Sequence, residues 1–417
     1  MGYHLLNLGD VAMRQVAVGR LDELWPDAEI FMFADDAPAL VAAIPRATPI
    51  STDGRWDWFY TRALGPLRRP RLNRAAQYVV DAERRLKRRH PHAVARVVTA
   101  KRRMTGRPPG AAADFLDVLF SADLLVVSGA GALNDDFAEP ILTVLDAIEM
   151  ALDRGTPCAM MGQGIGPITE RRLLNRMRAV LPRVGLIALR EDVTGRSLLA
   201  ELGVPADRVV TTGDDAVELA YEHRRDSLGD ELGLNVRVAG YAPLSEAMLQ
   251  GITAAVRSVL DDLGCVLLPL PMSRHGGERD LEVVLDVARR SGARVRRYDD
   301  VVSPADLLAR IGRCRVVVTG SYHAAVFALS QGIPTVCLVS SPYYRQKFIG
   351  LAALFGAGCR PVAIDGDDSV DRLVEAMREA WTTAEDTREH LLEAARAQIE
   401  WGRSAYGRLR EIVEPTA

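Results

Sequence analysis

The run V-V-V-T-G-S-Y-H-A-A-V-F-A-L-S-Q-G-I-P-T-V-C-L, Val316 to Leu338, constrains the fold more than any other stretch of the chain. Its opening VVV is β-branched and free of polar residues, the mark of a strand buried on both faces of a parallel sheet. The closing TVCL reads the same way. Between them A-A-V-F-A-L-S-Q is helical in composition, and Gly332-Ile333-Pro334 supplies a stop. The stretch therefore predicts strand, turn, helix, strand. Gly320, Ser321, Tyr322 and His323 fall where the first strand gives way to the helix. In an open α/β sheet that crevice is where ligands bind. A helix N-terminus there also offers unpaired N–H groups and a partial positive charge, which suit an anion.

The same alternation runs through most of the chain and predicts an α/β protein of doubly wound parallel sheets. Expected strands are Glu29–Phe33, Leu124–Val127, Cys158–Met161, Leu186–Leu189 and Val209–Thr211, with helices over Pro140–Asp153 and Thr194–Leu202. Residues 221–231 are polar and aperiodic and read as a linker. A second alternation follows: strands Val236–Tyr241, Cys265–Leu270 and Val295–Tyr298, and helices Glu246–Leu263, Glu278–Arg290 and Pro304–Ile311. Amphipathic helices are expected over Ser369–Trp381 and Thr387–Trp401. The organisation predicted is an N-terminal Rossmann-like domain over 1–220 with a helical insertion at about 56–113, a C-terminal Rossmann-like domain over 232–384, and a final segment, 385–417, packing back on the first domain. The short M-G-Y-H-L-L leaves little room for an opening strand before the N-L-G-D turn.

Length supports this division, since 417 residues correspond to about two or three domains. Apolar residues make up 48% and charged residues 26%, an ordinary balance for a globular protein with two cores. The net charge of −3 gives no global basic field for nucleic acid or anionic membrane. One basic tract, Arg84 to His90 followed by Lys101-Arg102-Arg103, reads as a solvated helical arm or a docking surface for an anionic partner. The five cysteines form no C-x-x-C pair and read as buried free thiols, which suits a reducing cytoplasm. With no secretory leader and no long apolar run, a cytoplasmic protein without a transmembrane segment is expected.

Five segments put glycine or polar residues at strand ends. Asn7-Leu8-Gly9-Asp10 precedes a helix, with Asp10 suited to be its N-cap. Ser128-Gly129-Ala130-Gly131-Ala132-Leu133-Asn134-Asp135 follows a strand, and its glycines would let backbone approach a ligand. It lacks the third glycine of the dinucleotide fingerprint. Met161-Gly162-Gln163-Gly164-Ile165-Gly166-Pro167 spends chain entropy on closely spaced glycines, a cost usually tied to a tight turn or a ligand. Arg190, in L-R-E-D, would leave its strand at the same edge as a clamp for carboxylate or phosphate, or as an ion-pair partner of Asp192 or Asp214. The fifth is the opening stretch, with Ser341-Pro342-Tyr343-Tyr344-Arg345-Gln346-Lys347 after the last strand.

The order NLGD, GALNDD, GQGIGP, LRED, TGDDA, then H-A and YYRQKF, resembles the polysaccharide pyruvyl transferase family over about residues 3 to 360. The resemblance implies two Rossmann-like domains facing across a cleft in a GT-B-like arrangement. It implies transfer of a pyruvyl group from phosphoenolpyruvate, as co-substrate, onto a sugar or glycan hydroxyl as a ketal, with no cofactor and no metal. Arg190 matches the arginine of the family's R-D/E motif, and His323 the histidine of its R-x-H-A motif. Lys347 falls where members carry a lysine after a tyrosine. The sequence departs from R-x-H-A at Ser321, which replaces an arginine. Losing one charged clamp removes about 1.5–3 kcal/mol, and Arg345, Lys347 or Arg274 are candidates to restore it.

The residues and the resemblance together assign catalysis to His323 and Asp10. They assign donor binding to Arg190, Gly320, Ser321, Tyr322, His323, Arg345 and Lys347. Acceptor binding falls to Asn7, Gly9, Asp10, Gly131, Asn134, Asp135, Gln163 and Gly164. The partners expected are a small anionic donor and a sugar or glycan acceptor, not nucleic acid, with homo-oligomerisation left open. Two other readings stay open: a GT-B-like glycosyltransferase using a nucleotide-sugar donor, whose diphosphate would occupy the same helix N-terminus, and a non-catalytic sugar- or anion-binding protein.

Overall fold

The computed structural model describes residues 5–61, 63, 82–83, 85–104, 112–129, 131, 133–237, 244–273, 280–296 and 300–414. Among the described residues eleven strands fall into three parallel groups. β1 (Ile30–Ala34) pairs with β2 (Ala47–Ser51). β3 (Leu125–Val127), β4 (Cys158–Gln163), β5 (Leu186–Leu189) and β6 (Val209–Thr211) pair in sequence order as a four-stranded sheet. β7 (Glu231–Asn235), β8 (Val266–Pro269), β9 (Cys314–Thr319), β10 (Thr335–Val339) and β11 (Cys359–Ala363) form a five-stranded sheet in the order β11-β10-β9-β7-β8. The fold is thus α/β with two Rossmann-like domains in a GT-B arrangement.

In the second domain the strand order reverses beside β7, so the chain leaves β7 and β9 in a crevice at their C-terminal ends. Alternation along β9 builds a core on each face: Val316 and Val318 point into one, Val317 into the other. Helices Glu246–Leu263, Asp280–Ser291 and Ser369–Thr382 cover the first face. Helices Pro304–Ile311, Tyr322–Ser330 and Pro342–Phe355 cover the second. That second core also takes Leu8, Ala12 and Met13 from helix Leu8–Leu24 and Ala216, Val217 and Ala220 from helix Ala216–Glu222. Apolar burial therefore fastens the first domain to the back of the site.

The expected strand Val236–Tyr241 is misplaced. The strand is Glu231–Asn235, whose first residue was read from sequence as the end of a polar linker, and residues 238–243 lie outside the described residues. Its polar ends are tied to neighbouring segments. Glu231 accepts from Arg296 Nε at 2.6 Å and Arg313 Nη2 at 2.8 Å, and Asn235 gives its amide to Leu270 O at 2.8 Å. Gly233 is glycine because a methyl there would meet Cys314 Sγ and Leu270 Cδ1 at 2.7 Å. Of Val295–Tyr298, only Val295 is seen to pair, in a bridge to Leu267, and 297–299 lie outside the described residues.

In the first domain β1 and β3 share no hydrogen bonds. Consecutive residues Ala28–Phe33 and Asp123–Gly129 line one cavity, so the edges of these strands, not their faces, bound it. Within the stretch 56–113 the described residues include helices Thr52–Tyr60, Pro91–Met104 and the start of Ala112–Ser121, while 62, 64–81, 84 and 105–111 fall outside them. Part of the basic tract is held by this domain: Arg102 pairs with Asp57, Arg88 with Glu149, and Lys87 Nζ donates to Trp58 O at 2.6 Å.

The long helix Ala384–Gly407 returns to the first domain through a buried ion network. Arg20 donates to Asp215 and Glu218, each at 2.8 Å, Arg403 Nε reaches Glu218 at 2.8 Å, and Tyr406 OH donates to Asp215 at 3.0 Å. All five cysteines are free, and four of them are buried. Among the described residues no helix is long and apolar enough to cross a membrane, and no cluster of His, Cys, Asp and Glu could hold a metal.

Candidate functional site

β5 is buried along its whole length, so the next residue, Arg190, carries its side chain out over the C-terminal edge of the first sheet. The guanidinium is 1% exposed and stacks 4.0 Å from the Tyr322 ring of the second domain. Its Nε and Nη2 make no hydrogen bond among the described residues. A methyl built on Gly131 would lie 2.3 Å from Arg190 Nη2 and 2.6 Å from Lys347 Nζ, and one on Gly164 would lie 2.6 Å from Arg190 Nε. These glycines make room for the cations of the site.

The second domain answers from two helix starts. Ser321 precedes helix Tyr322–Ser330 and leaves its N-terminus without a side-chain cap. The turn is held instead by Thr319 Oγ1, which accepts from Ser321 N at 2.8 Å. Gly320 fits against Arg237, where a methyl would lie 3.1 Å from the backbone nitrogen. His323, 8% exposed, packs on Gly9 so closely that a methyl there would fall 2.1 Å from its Cγ. From helix Pro342–Phe355, Lys347 Nζ lies 3.9 Å over the Tyr343 ring, while Tyr343 OH donates to Gly131 O at 2.7 Å. That bond ties the second domain to the glycine loop of the first.

Asp214, at the end of β6, is the carboxylate at the centre. Its Oδ1 accepts from Ala216 N at 2.9 Å, and its Oδ2 stands 3.6 Å from both Arg190 Nη1 and His323 Nε2. Burial opposes ionisation, yet His323 and Arg190 hold the carboxyl below its usual range. Burial, helped by the charge of Arg190, presses the Lys347 ammonium well below its ordinary range, against the pull of Asp10.

A cavity of about 1060 Å³ opens on this cluster and runs on between β1 and β3. Of the residues assigned from sequence, Asn7, Asp10, Gly131, Gln163, Arg190, Ser321, Tyr322, His323 and Lys347 line it. Gly9, Gly164 and Gly320 stand directly behind it. Gln163 turns its amide N–H groups away, to Val127 O at 2.9 Å and Met161 O at 2.8 Å. Asn7, not Asp10, caps the first helix, accepting from Gly9 N at 3.0 Å.

Three assignments are corrected. Asn134 caps the short turn after it and donates to Gly131 O at 3.0 Å. Asp135 accepts from Thr169 N at 2.8 Å and Oγ1 at 2.6 Å and from Glu170 N at 3.1 Å. Both side chains serve the loop and do not line the cavity. Arg345 is exposed on the outer side of its helix, two residues and so about 200° of turn away from Lys347. Arg274 lies outside the described residues. Asp214 and Tyr343 were given no site role from sequence, although T-G-D-D-A at a strand end, in line with L-R-E-D, was signal enough to ask what its first aspartate faces.

Residues 7–342 match the model of the polysaccharide pyruvyl transferase family. The chain belongs to that family. Its members are transferases of polysaccharide biosynthesis, which points to a glycan acceptor. No curated protein matches the chain. Among solved structures, one from Listeria monocytogenes, provisionally assigned as a UDP-N-acetylglucosamine 2-epimerase, superposes with a TM-score of 0.58 at 13% identity over 97% of this chain and 94% of its own. UDP-GlcNAc 2-epimerase from Neisseria meningitidis, bound to UDP-GlcNAc, gives 0.55 at 11% identity over 98% and 97%. A glycosyltransferase from Rickettsia africae gives 0.51 at 9% identity over 97% and 95%. At these identities the likeness is one of fold, and it is the GT-B fold.

Proposed function

We propose that this family member moves the pyruvyl group of phosphoenolpyruvate onto two hydroxyls of a sugar as a ketal. One observation carries the reading. Arg190 from the first domain and Lys347 from the second converge on one point beside Gly131, with guanidinium N–H groups unspent and His323 adjoining. Two cations held together, one buried and one partly buried, want an anion of more than one charge. Phosphoenolpyruvate presents a carboxylate and a phosphate. Lys347, already at the site, supplies a second cation where Ser321 replaces the family arginine.

The chemistry then divides among residues present. A proton passes from His323 to the methylene carbon, which becomes a methyl group and leaves positive charge on the neighbouring carbon. One acceptor hydroxyl adds there and gives its proton to Asp10. A second hydroxyl displaces phosphate, which departs with the electron pair of the broken C–O bond and takes that hydroxyl's proton. Asp10's proton returns to His323 through solvent, so one ketal and one phosphate are formed. Arg190, Lys347 and the N–H groups at the start of helix Tyr322–Ser330 hold the charge that develops on the leaving phosphate.

A nucleotide-sugar donor is the second reading, favoured by Ser321 and by a GT-B fold that the Neisseria protein uses to bind UDP-GlcNAc. Thermal-shift titration separates them, followed by phosphate release in the presence of mixed glycans. Stabilisation by phosphoenolpyruvate and donor-dependent phosphate release are expected. Stabilisation by UDP-sugars, with phosphoenolpyruvate inert, would transfer the assignment to glycosyl transfer.

A further inference from the structure

We propose that Asp214 is a built-in counter-ion of the donor site, which balances Arg190 and His323 while the site is empty and weakens the grip on phosphate so that product can leave. The inference deepens the reading above, but it requires only that the cluster bind a phosphate group.

The geometry is specific. Oδ2 stands 3.6 Å from Arg190 Nη1 and 3.6 Å from His323 Nε2. That is inside ion-pair range and beyond a hydrogen bond. The carboxylate thus offsets charge without consuming donors. Arg190 Nε and Nη2, His323 Nε2 and Asp214 Oδ2 all lack hydrogen-bond partners among the described residues, in a spot where each residue is at most 8% exposed. Unspent polar groups in such surroundings are costly unless a ligand completes them. Asp214 cannot swing in to close the gap, because Oδ1 is fixed on Ala216 N at 2.9 Å at the start of helix Ala216–Glu222. Other charges facing the cluster include Lys347, Asp10 and Glu191, with the buried Asp215 next to Asp214.

A carboxylate here repels an incoming phosphate across a poorly screened gap. Removing its charge while keeping its shape should therefore tighten anion binding. A residue that merely braced Arg190 would do the opposite on removal.

Asp214→Asn in the full chain is the test, with inorganic phosphate as the probe, titrated calorimetrically beside the wild type. Phosphate affinity is expected to rise on the order of tenfold, with product release slowed and turnover reduced. Weaker or unchanged phosphate binding would overturn the proposal, as would no phosphate binding in either protein. Asp214→Ser, which retains an acceptor for Ala216 N, gives the same comparison if the asparagine variant does not fold. The parent reading fails separately: tighter phosphate binding in a protein that never consumes phosphoenolpyruvate leaves the counter-ion in place and removes the pyruvyl donor.

Discussion

At the end of β9 the second domain presents a helix start, with backbone N–H groups and His323 set by an unbroken apolar core. At the ends of β4, β5 and β6 the first domain presents charged side chains, Arg190 threaded between glycines and Asp214 beside it. The second domain builds its half of the site from regular structure: β9 is a central strand of five, and every residue of helix Tyr322–Ser330 is buried. The first domain builds its half on a sheet that is split between β1 and β3 and on loops whose side-chain space is given to the neighbours. Rigid backbone suits the group whose position decides a proton transfer. Charged side chains in glycine-lined space suit the groups that gather an anion and release its product. The two halves should therefore fail differently when damaged.

The largest effect is expected from the second domain. His323→Ala should lower turnover about 10²–10⁴-fold, the range for a lost general acid or base, while donor affinity measured by calorimetry moves far less. A fall in affinity and melting temperature with turnover at saturation intact would make His323 a packing residue and erase the contrast. Gly9→Ala sharpens the same point from the opposite side of the cleft. The added methyl would occupy space now held by the His323 ring, 2.1 Å from Cγ. It should reduce turnover by about one to two orders of magnitude, since small displacements of a catalytic group are costly, and spare donor affinity.

The two halves were also unequally legible in the sequence. The switch-point turn at 320–323 could be read because apolar strand, turn and helix follow in one unbroken run. Glu231–Asn235 was missed because Glu231, Gly233 and Asn235 break the apolar pattern, and what repairs them comes from Arg296, Arg313, Leu270 and Cys314, all distant in sequence. The glycine loops stand out in the sequence, but that their missing side chains accommodate Arg190, Lys347 and His323 is a relation between segments that no local pattern carries. Asn134 and Asp135 looked like acceptor ligands, since an exposed polar run at a strand end reads the same whether it binds a sugar or caps a turn.

Damage in the first domain should appear in binding. Arg190→Ala removes the charged hydrogen bonds offered to the donor, about 1.5–3 kcal/mol, or about 10–150-fold in affinity. The melting temperature should fall as well, because the variant leaves Asp214 and the Tyr322 ring without their buried cation, so donor affinity is the deciding readout. An early-melting variant with unchanged donor affinity would make Arg190 a structural ion-pair partner of Asp214.

The smallest effect tests where the domains meet, at Lys347. Burial and the adjoining Arg190 lower its pKa, so in the empty protein it sheds its proton more readily than in the unfolded chain. Between the folded pKa and the ordinary value near 10.4, the unfolded chain therefore binds more protons, and stability rises with pH across that window. Wherever the unfolded lysine is protonated, keeping this amine at the site costs free energy in either form, so Lys347→Met should raise the melting temperature below the ordinary value near 10.4. A bound dianion reverses the preference, because it favours the charged amine. Above the folded pKa, donor binding should then take up a proton, and affinity should fall by a factor of a few up to about ten for each pH unit. Calorimetry in two buffers of different ionisation enthalpy reads the uptake directly: the apparent binding enthalpy should differ between buffers in the wild type and coincide in Lys347→Met. Equal enthalpies in the wild type across the alkaline range would show that Lys347 stays charged without the donor, and that the two domains bring together a preformed pair of cations rather than one the donor completes.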